Sequence, residues 1–378
     1  MKQQHIIPGQ TILHLNPTLK SRRHGLGILN LATLATRQSR KFQFLTFSLL
    51  FFSSLFSPVV VGAVDITEQL HRPLHSSVVR ESRDHADSLV RIGEQQYNSG
   101  YPEKTVDSCL EALEIYHGIR DLKAQGITYD LLAKAYVQLG RFKKSEDALR
   151  RRLAIARDTQ DFQAQIFALN NISSLLLQQA EAAPAGQAVE EALTIARNVK
   201  NIEGEGLSLS NLGLVSARLG DYNKAIKLYE TALSFRRQTG DVIGEANTLN
   251  NLGDAYLVAG NYPDTIGTYG AALRLAKTNR DRTNYLRAID GLVTAHSSVG
   301  RYERAFDLLE QRLAIANELQ NTREELKSFE SYALLYEQLG NYSTARNFYE
   351  RAIILARTLS DDKRELLLVD RLTRMLKR

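Results

Sequence analysis

Glycine recurs in this chain at a fixed interval. Gly100, Gly140, Gly220, Gly260, Gly300 and Gly340 stand 40 residues apart or twice that. A period of this length marks a stack of supersecondary units that share one continuous core, so the 378 residues need not divide into two globular domains. The clearest copy is Asn250–Ala276, NNLGDAYLVAGNYPDTIGTYGAALRLA. In it two apolar-periodic segments flank the turn signal Gly260-Asn261-Tyr262-Pro263.

Counting from each turn glycine resolves the unit into two helices. Ile92, Leu132, Ile172, Leu212, Leu252, Leu292 and Tyr332 lie eight residues before it, and Leu89, Tyr129, Leu169, Leu209, Leu249, Ile289 and Phe329 lie eleven before. Tyr136, Leu176, Tyr256 and Tyr336 lie four before, with His296 and Ser216 as exceptions. Offsets that differ by three and four fall on one face of an amphipathic first helix. Small residues seven before the turn (Gly93, Ala133, Ser173, Gly213, Gly253, Ala333) let a neighbouring helix approach closely. In the second helix, Ala225, Ala305 and Ala345 lie five past the turn, and Ala112, Ala192, Ala232, Ala272 and Ala352 twelve past it. Asp121, Asp161, Asn201, Asp241, Asp281, Asn321 and Asp361 then recur where each following helix needs an N-cap acceptor. The third unit has Ala180 in place of glycine, so a helix pair with a distorted turn is expected there. The segment 362–378 is half a unit with an apolar face (Leu368, Val369, Leu372, Met375, Leu376) and a basic remainder, as expected of a helix that seals the end of a solenoid.

The formal charge of +6 is unevenly placed. Residues 1–63 hold seven Lys or Arg and no acid, which leaves 41 basic against 42 acidic residues in the remainder. The near-neutral repeats carry no electrostatic signature of nucleic-acid binding. A basic stretch (1–41), an apolar run (42–63) and the small-residue exit Val61-Gly62-Ala63 read as a signal peptide cleaved after Ala63. The alternative is an uncleaved membrane anchor, since residues 42–63 are long enough to cross a bilayer. Both place the repeats outside the cytoplasm: periplasmic, luminal or extracellular. Ser21-Arg22-Arg23 has the look of a twin-arginine signal, but its apolar run starts too late. Residues 64–82 read as a linker, and His71 and His75 within it lack the further ligands of a metal site.

No HExxH, GxSxG, GxxxxGK[ST] or CxxC pattern occurs, so neither catalysis nor a cofactor is expected. Cys109, the single cysteine, occupies an offset that Leu149, Tyr229, Tyr269, Leu309 and Tyr349 fill elsewhere. It reads as core rather than nucleophile. His296 stands where other units place tyrosine and reads the same way.

The unit resembles the tetratricopeptide repeat in a longer, 40-residue form, on Leu252-Gly253, Tyr256, Gly260, Tyr262, Tyr269 and Ala272, and on Leu212-Gly213, Gly220, Tyr222, Ala225, Tyr229 and Ala232. The family's proline at the end of the second helix is missing. The resemblance implies an all-α, right-handed superhelical solenoid, here of seven antiparallel helix pairs over 83–361 with a capping helix at 362–378. It also implies a concave groove that binds protein or extended peptide. Asn171, Asn211 and Asn251 lie nine residues before successive turns, with Asn250 one residue before Asn251, Asn247, Arg287 and Lys327 thirteen before, and Asp254 six before. Amides offer donors and an acceptor to a peptide backbone whatever its side chains. Helices about 8–10 Å apart would present one amide to roughly every third residue of an extended chain. The same amides suit cross-links between adjacent helices. A carboxylate clamp of Asn with Lys or Arg is broken here, because Arg287 and Lys327 fall in units where Gly291 and Ser331 replace the asparagine. An exported peptide-binding scaffold is therefore expected, with a cytoplasmic peptide-sensing regulator or an accessory subunit of an enzyme complex as alternatives.

Overall fold

The computed structural model describes residues 75–377. Chain contacts divide the protein into Met1–Thr46 and Phe47–Arg378, and the described residues belong to the second unit. The expected export segment at 1–63 lies outside the described residues.

The described chain is all-helical. In order the helices are α1 (His75–Asn98), α2 (Pro102–Gly118), α3 (Leu122–Gln138), α4 (Phe142–Asp158), α5 (Phe162–Gln178), α6 (Ala182–Asn198), α7 (Ile202–Arg218) and α8 (Tyr222–Thr239). They continue as α9 (Val242–Val258), α10 (Tyr262–Thr278), α11 (Arg282–Ser298), α12 (Tyr302–Glu318), α13 (Thr322–Gln338), α14 (Tyr342–Thr358) and α15 (Asp362–Leu376). Seven pairs, α1/α2 to α13/α14, are followed by α15. One expectation needs correction: helix α1 begins at His75, so the last eight residues of the stretch read as linker are helical. No glycine or proline stands between His75 and Ile92, so nothing breaks the helix there.

From Pro102 onward a helix starts every 20 residues, because one joint is used at every turn. The residue before each N-cap has positive φ. At 100, 140, 220, 240, 260, 300 and 340 it is glycine, and elsewhere it is Arg120, Gln160, Ala180, Lys200, Arg280, Gln320 or Ser360, with φ between 48° and 65°. Each joint makes the same two backbone bonds. Asp161 N–H donates to Ala156 C=O at 2.9 Å and Gln160 N–H to Arg157 C=O at 3.1 Å, which is the Schellman arrangement. The next residue then caps the following helix. Asp121, Asp161, Asn201, Asp241, Asp281, Asn321 and Asp361 all accept from backbone N–H groups in the first turn, for instance Gly204 N–H to Asn201 Oδ1 at 2.8 Å. The expected distortion at Ala180 is absent: Glu181 N–H reaches Leu176 C=O at 2.9 Å, as in every other joint. The backbone bonds hold the left-handed residue whether or not it is glycine.

Each helix packs on its sequence neighbours, and the odd-numbered helices also touch one another: α1 with α3, α5 with α7, α7 with α9 and α9 with α11. Odd helices therefore lie on the inner side of the curve. The core between the two layers is built from the repeated offsets, with Leu132, Ile172, Leu212, Leu252 and Leu292 all buried. Cys109 is sealed in this core and burial pushes its thiol up to about 12, so it is unreactive packing. At the far end Leu368 and Met375 of α15 are buried, but Leu366, Leu367, Val369 and Leu376 remain exposed. The expected apolar face is thus only partly covered.

Two measurements test this reading. A non-glycine residue in the left-handed region costs about 1–2 kcal/mol, partly offset in glycine by greater freedom of the unfolded chain. Gln160→Gly should raise the urea midpoint, gaining about 0.5–1 kcal/mol, whereas Gly220→Ala should lose about 1 kcal/mol. The second concerns His296, which is buried with Nδ1 unpartnered; burial holds its imidazole below the usual range, and Arg301 and Arg304 add to the effect. As pH falls below about 6.5 the unfolded chain takes up this proton first, so stability is lost from there down to the lowered native value. His296→Leu, matching Leu176 at the same offset, should melt progressively higher than wild type between about pH 7 and pH 5.

Candidate functional site

The inner surface is formed by the odd helices, and two polar layers run along it one residue apart. From α5 onward the deeper layer joins each odd helix to the next. Asn170 Nδ2 donates to Ser208 Oγ at 2.9 Å, Ser210 Oγ lies 3.0 Å from Thr248 Oγ1, and Asn250 Nδ2 donates to Asn284 Oδ1 at 3.0 Å. In the later units ions take over. Asp290 accepts from Arg312 Nε at 2.6 Å, and Glu330 accepts from Arg364 Nη2. All these anchors lie ten residues before a turn. Asn250 is 0% exposed, so it is not a groove residue as expected from sequence: its amide is a buried link between α9 and α11. Leaving its Nδ2 unpaired in the interior would cost about 1–3 kcal/mol, and Asn284 meets that donor across the helix pair; its Oδ1 has no protein partner.

The shallower layer, nine residues before the turn and at flanking positions, is half-buried and faces the groove. It brings three of the expected residues together. Arg287 Nη2, on α11, donates to Asn251 Oδ1 at 2.6 Å and to Asp254 Oδ2 at 2.6 Å, both on α9. Asp254 also accepts from the hydroxyl of Tyr269, on α10. Burial and the neighbouring Asp254 carboxylate push the Tyr269 phenol far above its ordinary range, so it stays a donor. The Tyr269 ring fits because Gly253 and Gly291 lack side chains. A Cβ on Gly253 would sit 2.8 Å from the ring, and one on Gly291 closer still. One aromatic side chain thus ties α9, α10 and α11 to a single carboxylate.

The other expected residues lie apart from that cluster. Asn211 Nδ2 donates to Asn170 Oδ1 at 2.8 Å. Asn170 gives its own Nδ2 to the Ile166 carbonyl at 2.8 Å, which can only accept, so the orientation of both amides is fixed. The Nδ2 of Asn171 is shielded from solvent and has no protein partner, and Asn247 is half-buried. Lys327 is exposed and pairs with Glu324 on its own helix at 2.8 Å, away from the asparagines.

Two charged positions on this surface were not found from sequence. Arg152 and Arg312 occupy the offset that five other units fill with alanine, and that break in the pattern was the available signal. Each reaches inward from an even helix to the carboxylate ten before the turn. Arg152 Nε meets Asp130 at 3.1 Å, and Arg312, 1% exposed, meets Asp290 at 2.6 Å and Glu324 at 2.9 Å. Burial pushes Asp130 and Asp290 above the usual carboxylate range despite these partners. Burial likewise lowers Lys134, against the pull of Asp130 and Glu94. Glu324 behaves oppositely: burial raises it, but Lys327 and Arg312 more than offset that and leave it below the usual range.

Family models described as tetratricopeptide repeat match residues 128–161, 165–238, 244–318 and 326–358, together more than half of the chain. The protein belongs to the tetratricopeptide-repeat family. No curated protein matches it. Among solved structures it is similar to the apo form of RapI, with 14% identity, a TM-score of 0.57, and 73% of this chain and 99% of that one covered. It is similar to a Rap protein complexed with the competence and sporulation factor, with 17% identity, a TM-score of 0.54 and coverage of 73% and 76%. The Rap conjugation gene regulator of plasmid pLS20, in complex with the Phr* peptide, matches at 18% identity and a TM-score of 0.53, covering 72% and 74%. At these identities the likeness is one of fold.

Gly291→Ala should force Tyr269 out of its slot and away from Asp254. Overpacking of this kind costs about 1–3 kcal/mol, and the loss should appear as a lower urea midpoint than for Gly270→Ala, where an added Cβ meets only the tip of Arg274 at 3.5 Å.

Proposed function

We propose that this protein is a binding scaffold whose inner groove holds an extended segment of a polypeptide partner. The observation that carries the reading is the pair Asn211 and Asn251 on successive odd helices. Asn211 spends its donor on Asn170, so its Oδ1 is left to accept. Asn251 spends its acceptor on Arg287, which can only donate, so its Nδ2 is left to give. One free acceptor and one free donor on neighbouring helices match the alternating N–H and C=O groups of an extended backbone. Asn171, Asn247, Asp254, Arg287 and Lys327 complete the proposed surface. The peptide-bound Rap structures are a precedent for such use of the fold. The near-neutral repeats, which offer little attraction to a polyanion, support a polypeptide rather than a nucleic acid as the partner.

Residues 1–63 support placing the repeats outside the cytoplasm, either released after Ala63 or anchored through 42–63. The likeness to Rap regulators favours a second reading, a cytoplasmic peptide-sensing regulator.

The double variant Asn211→Ala/Asn251→Ala should weaken crosslinking to the natural partner about thirtyfold, as two hydrogen bonds near 1 kcal/mol each would give. Unchanged capture overturns the groove assignment. N-terminal sequencing of the mature protein separates the two locations: a start at Val64 excludes the cytoplasmic reading, and an intact N-terminus in the soluble cell fraction excludes export.

A further inference from the structure

A cleft opens on the outer, even-helix side of the described solenoid. It has a volume of about 430 Å³ and lies between α2 and α4, over α3. Its floor is Tyr129, Leu132 and Tyr136, and its rim carries Leu110, Lys144 and Arg151. The same register in the last pair, 200 residues on, is filled. There Phe348 of α14 stacks on Tyr332 at 4.9 Å and 13° and on Tyr336 at 5.6 Å and 8°, with Phe329 at 6.0 Å. Arg351 lies 5.7 Å from the rings of both Phe329 and Phe348.

The α2–α4 cleft keeps two of these rings and has Leu132 in the place of Tyr332. Tyr129 and Tyr136 stand where Phe329 and Tyr336 stand, and Arg151 lies 6.0 Å from the Tyr129 ring as Arg351 does over Phe329. Lys144 adds a cation 5.7 Å from the Tyr136 ring. The residue in the place of Phe348 is Ala148, on the wall of the cleft.

We infer that this cleft is a docking site for an aromatic side chain presented by a polypeptide partner. Offset-stacked rings gain about 0.5–1.5 kcal/mol beyond their buried area, and a guanidinium at the ring face adds to that. The rim argues for a polypeptide as the source of the ring. Glu114 and Asp147 stand beside Lys144 and Arg151, so the mouth has no net charge. Such a rim suits neutral peptide flanks and gives no advantage to a charged aromatic metabolite. Leu110, 47% exposed, extends the apolar contact past the cleft mouth. The site is on the opposite layer from the asparagine groove and does not depend on it.

The chain contains no tryptophan, so a tryptophan peptide can be followed by its own fluorescence. The probe is acetyl-Ala-Trp-Ala-amide titrated with the full chain, with acetyl-Ala-Ala-Ala-amide and free indole as competitors. Saturable binding at one site is expected, lost at least tenfold in Ala148→Phe, whose ring stands at the register that Phe348 holds in α14. Phe348→Ala should open a second site and double the stoichiometry. An absence of saturable binding, binding unaffected by Ala148→Phe, or competition by the alanine peptide overturns the site. Binding of indole that exceeds that of the tryptophan peptide overturns the polypeptide as its source. Should Ala148→Phe misfold, Tyr129→Ala/Arg151→Ala takes its place: it must weaken the probe while leaving the far-ultraviolet spectrum unchanged.

Discussion

The joint between helices constrains everything else in this solenoid. Each helix ends on a left-handed residue, the following residue closes the Schellman bond, and in most joints that same residue caps the next helix. Asp161 does both within one peptide unit: its N–H binds Ala156 C=O and its carboxylate takes Ala164 N–H. A link this short leaves no slack. Inserting one residue would rotate every later helix by about 100° and carry its apolar stripe out of the core. The backbone bonds also explain why Arg120, Gln160 and Lys200 tolerate a conformation that favours glycine. The strain at each is small against two backbone bonds and a buried apolar face.

With helix length and link length set, odd helices meet at one register along the described chain. That meeting line lies inside the curve, where water is scarce, yet it is polar. Buried amides and hydroxyls must then be matched across the gap, and each pair of units finds a different match: Asn with Ser, Ser with Thr, Asn with Asn. Where the anchor is a carboxylate, as at Asp130 and Asp290, the cation comes from the outer layer through the alanine position. The buried charge here is Arg312, 1% exposed, while Asp290 stays open to solvent, so Asp290 and Glu324 are better understood as compensating Arg312 than as adding net stability.

Much of this was legible from residue spacing. The period, the two helices per unit, the seven N-caps and the core offsets all follow from patterns that recur seven times, and recurrence makes a weak local signal strong. The site was less legible for a geometric reason. Asn250 and Asn251 are neighbours in sequence and about 100° apart on the helix, so one is sealed against Asn284 while the other meets the groove. Asn170 and Asn171 divide in the same way. Spacing alone places both near the inner side and cannot say which is buried. Arg312 was missed because it is an exception within a pattern of alanines, and its target is on a helix 22 residues upstream. Ala148 was missed for a related reason: a small residue is informative only beside Phe348, its counterpart in a distant unit.

The two polar layers are not independent. Asn170 is oriented by the Ile166 carbonyl and Ser208, and Asn211 must then turn its donor inward to meet the Asn170 oxygen. The group that Asn211 turns outward is thus chosen by residues buried beneath it. Arg287 does the same for Asn251, and its own position depends on Asp254, which Tyr269 holds from α10. The order of donors and acceptors along the groove is therefore written in the buried seam. A substitution at Ser208 or Tyr269 can change which groups the surface presents without altering any residue on it.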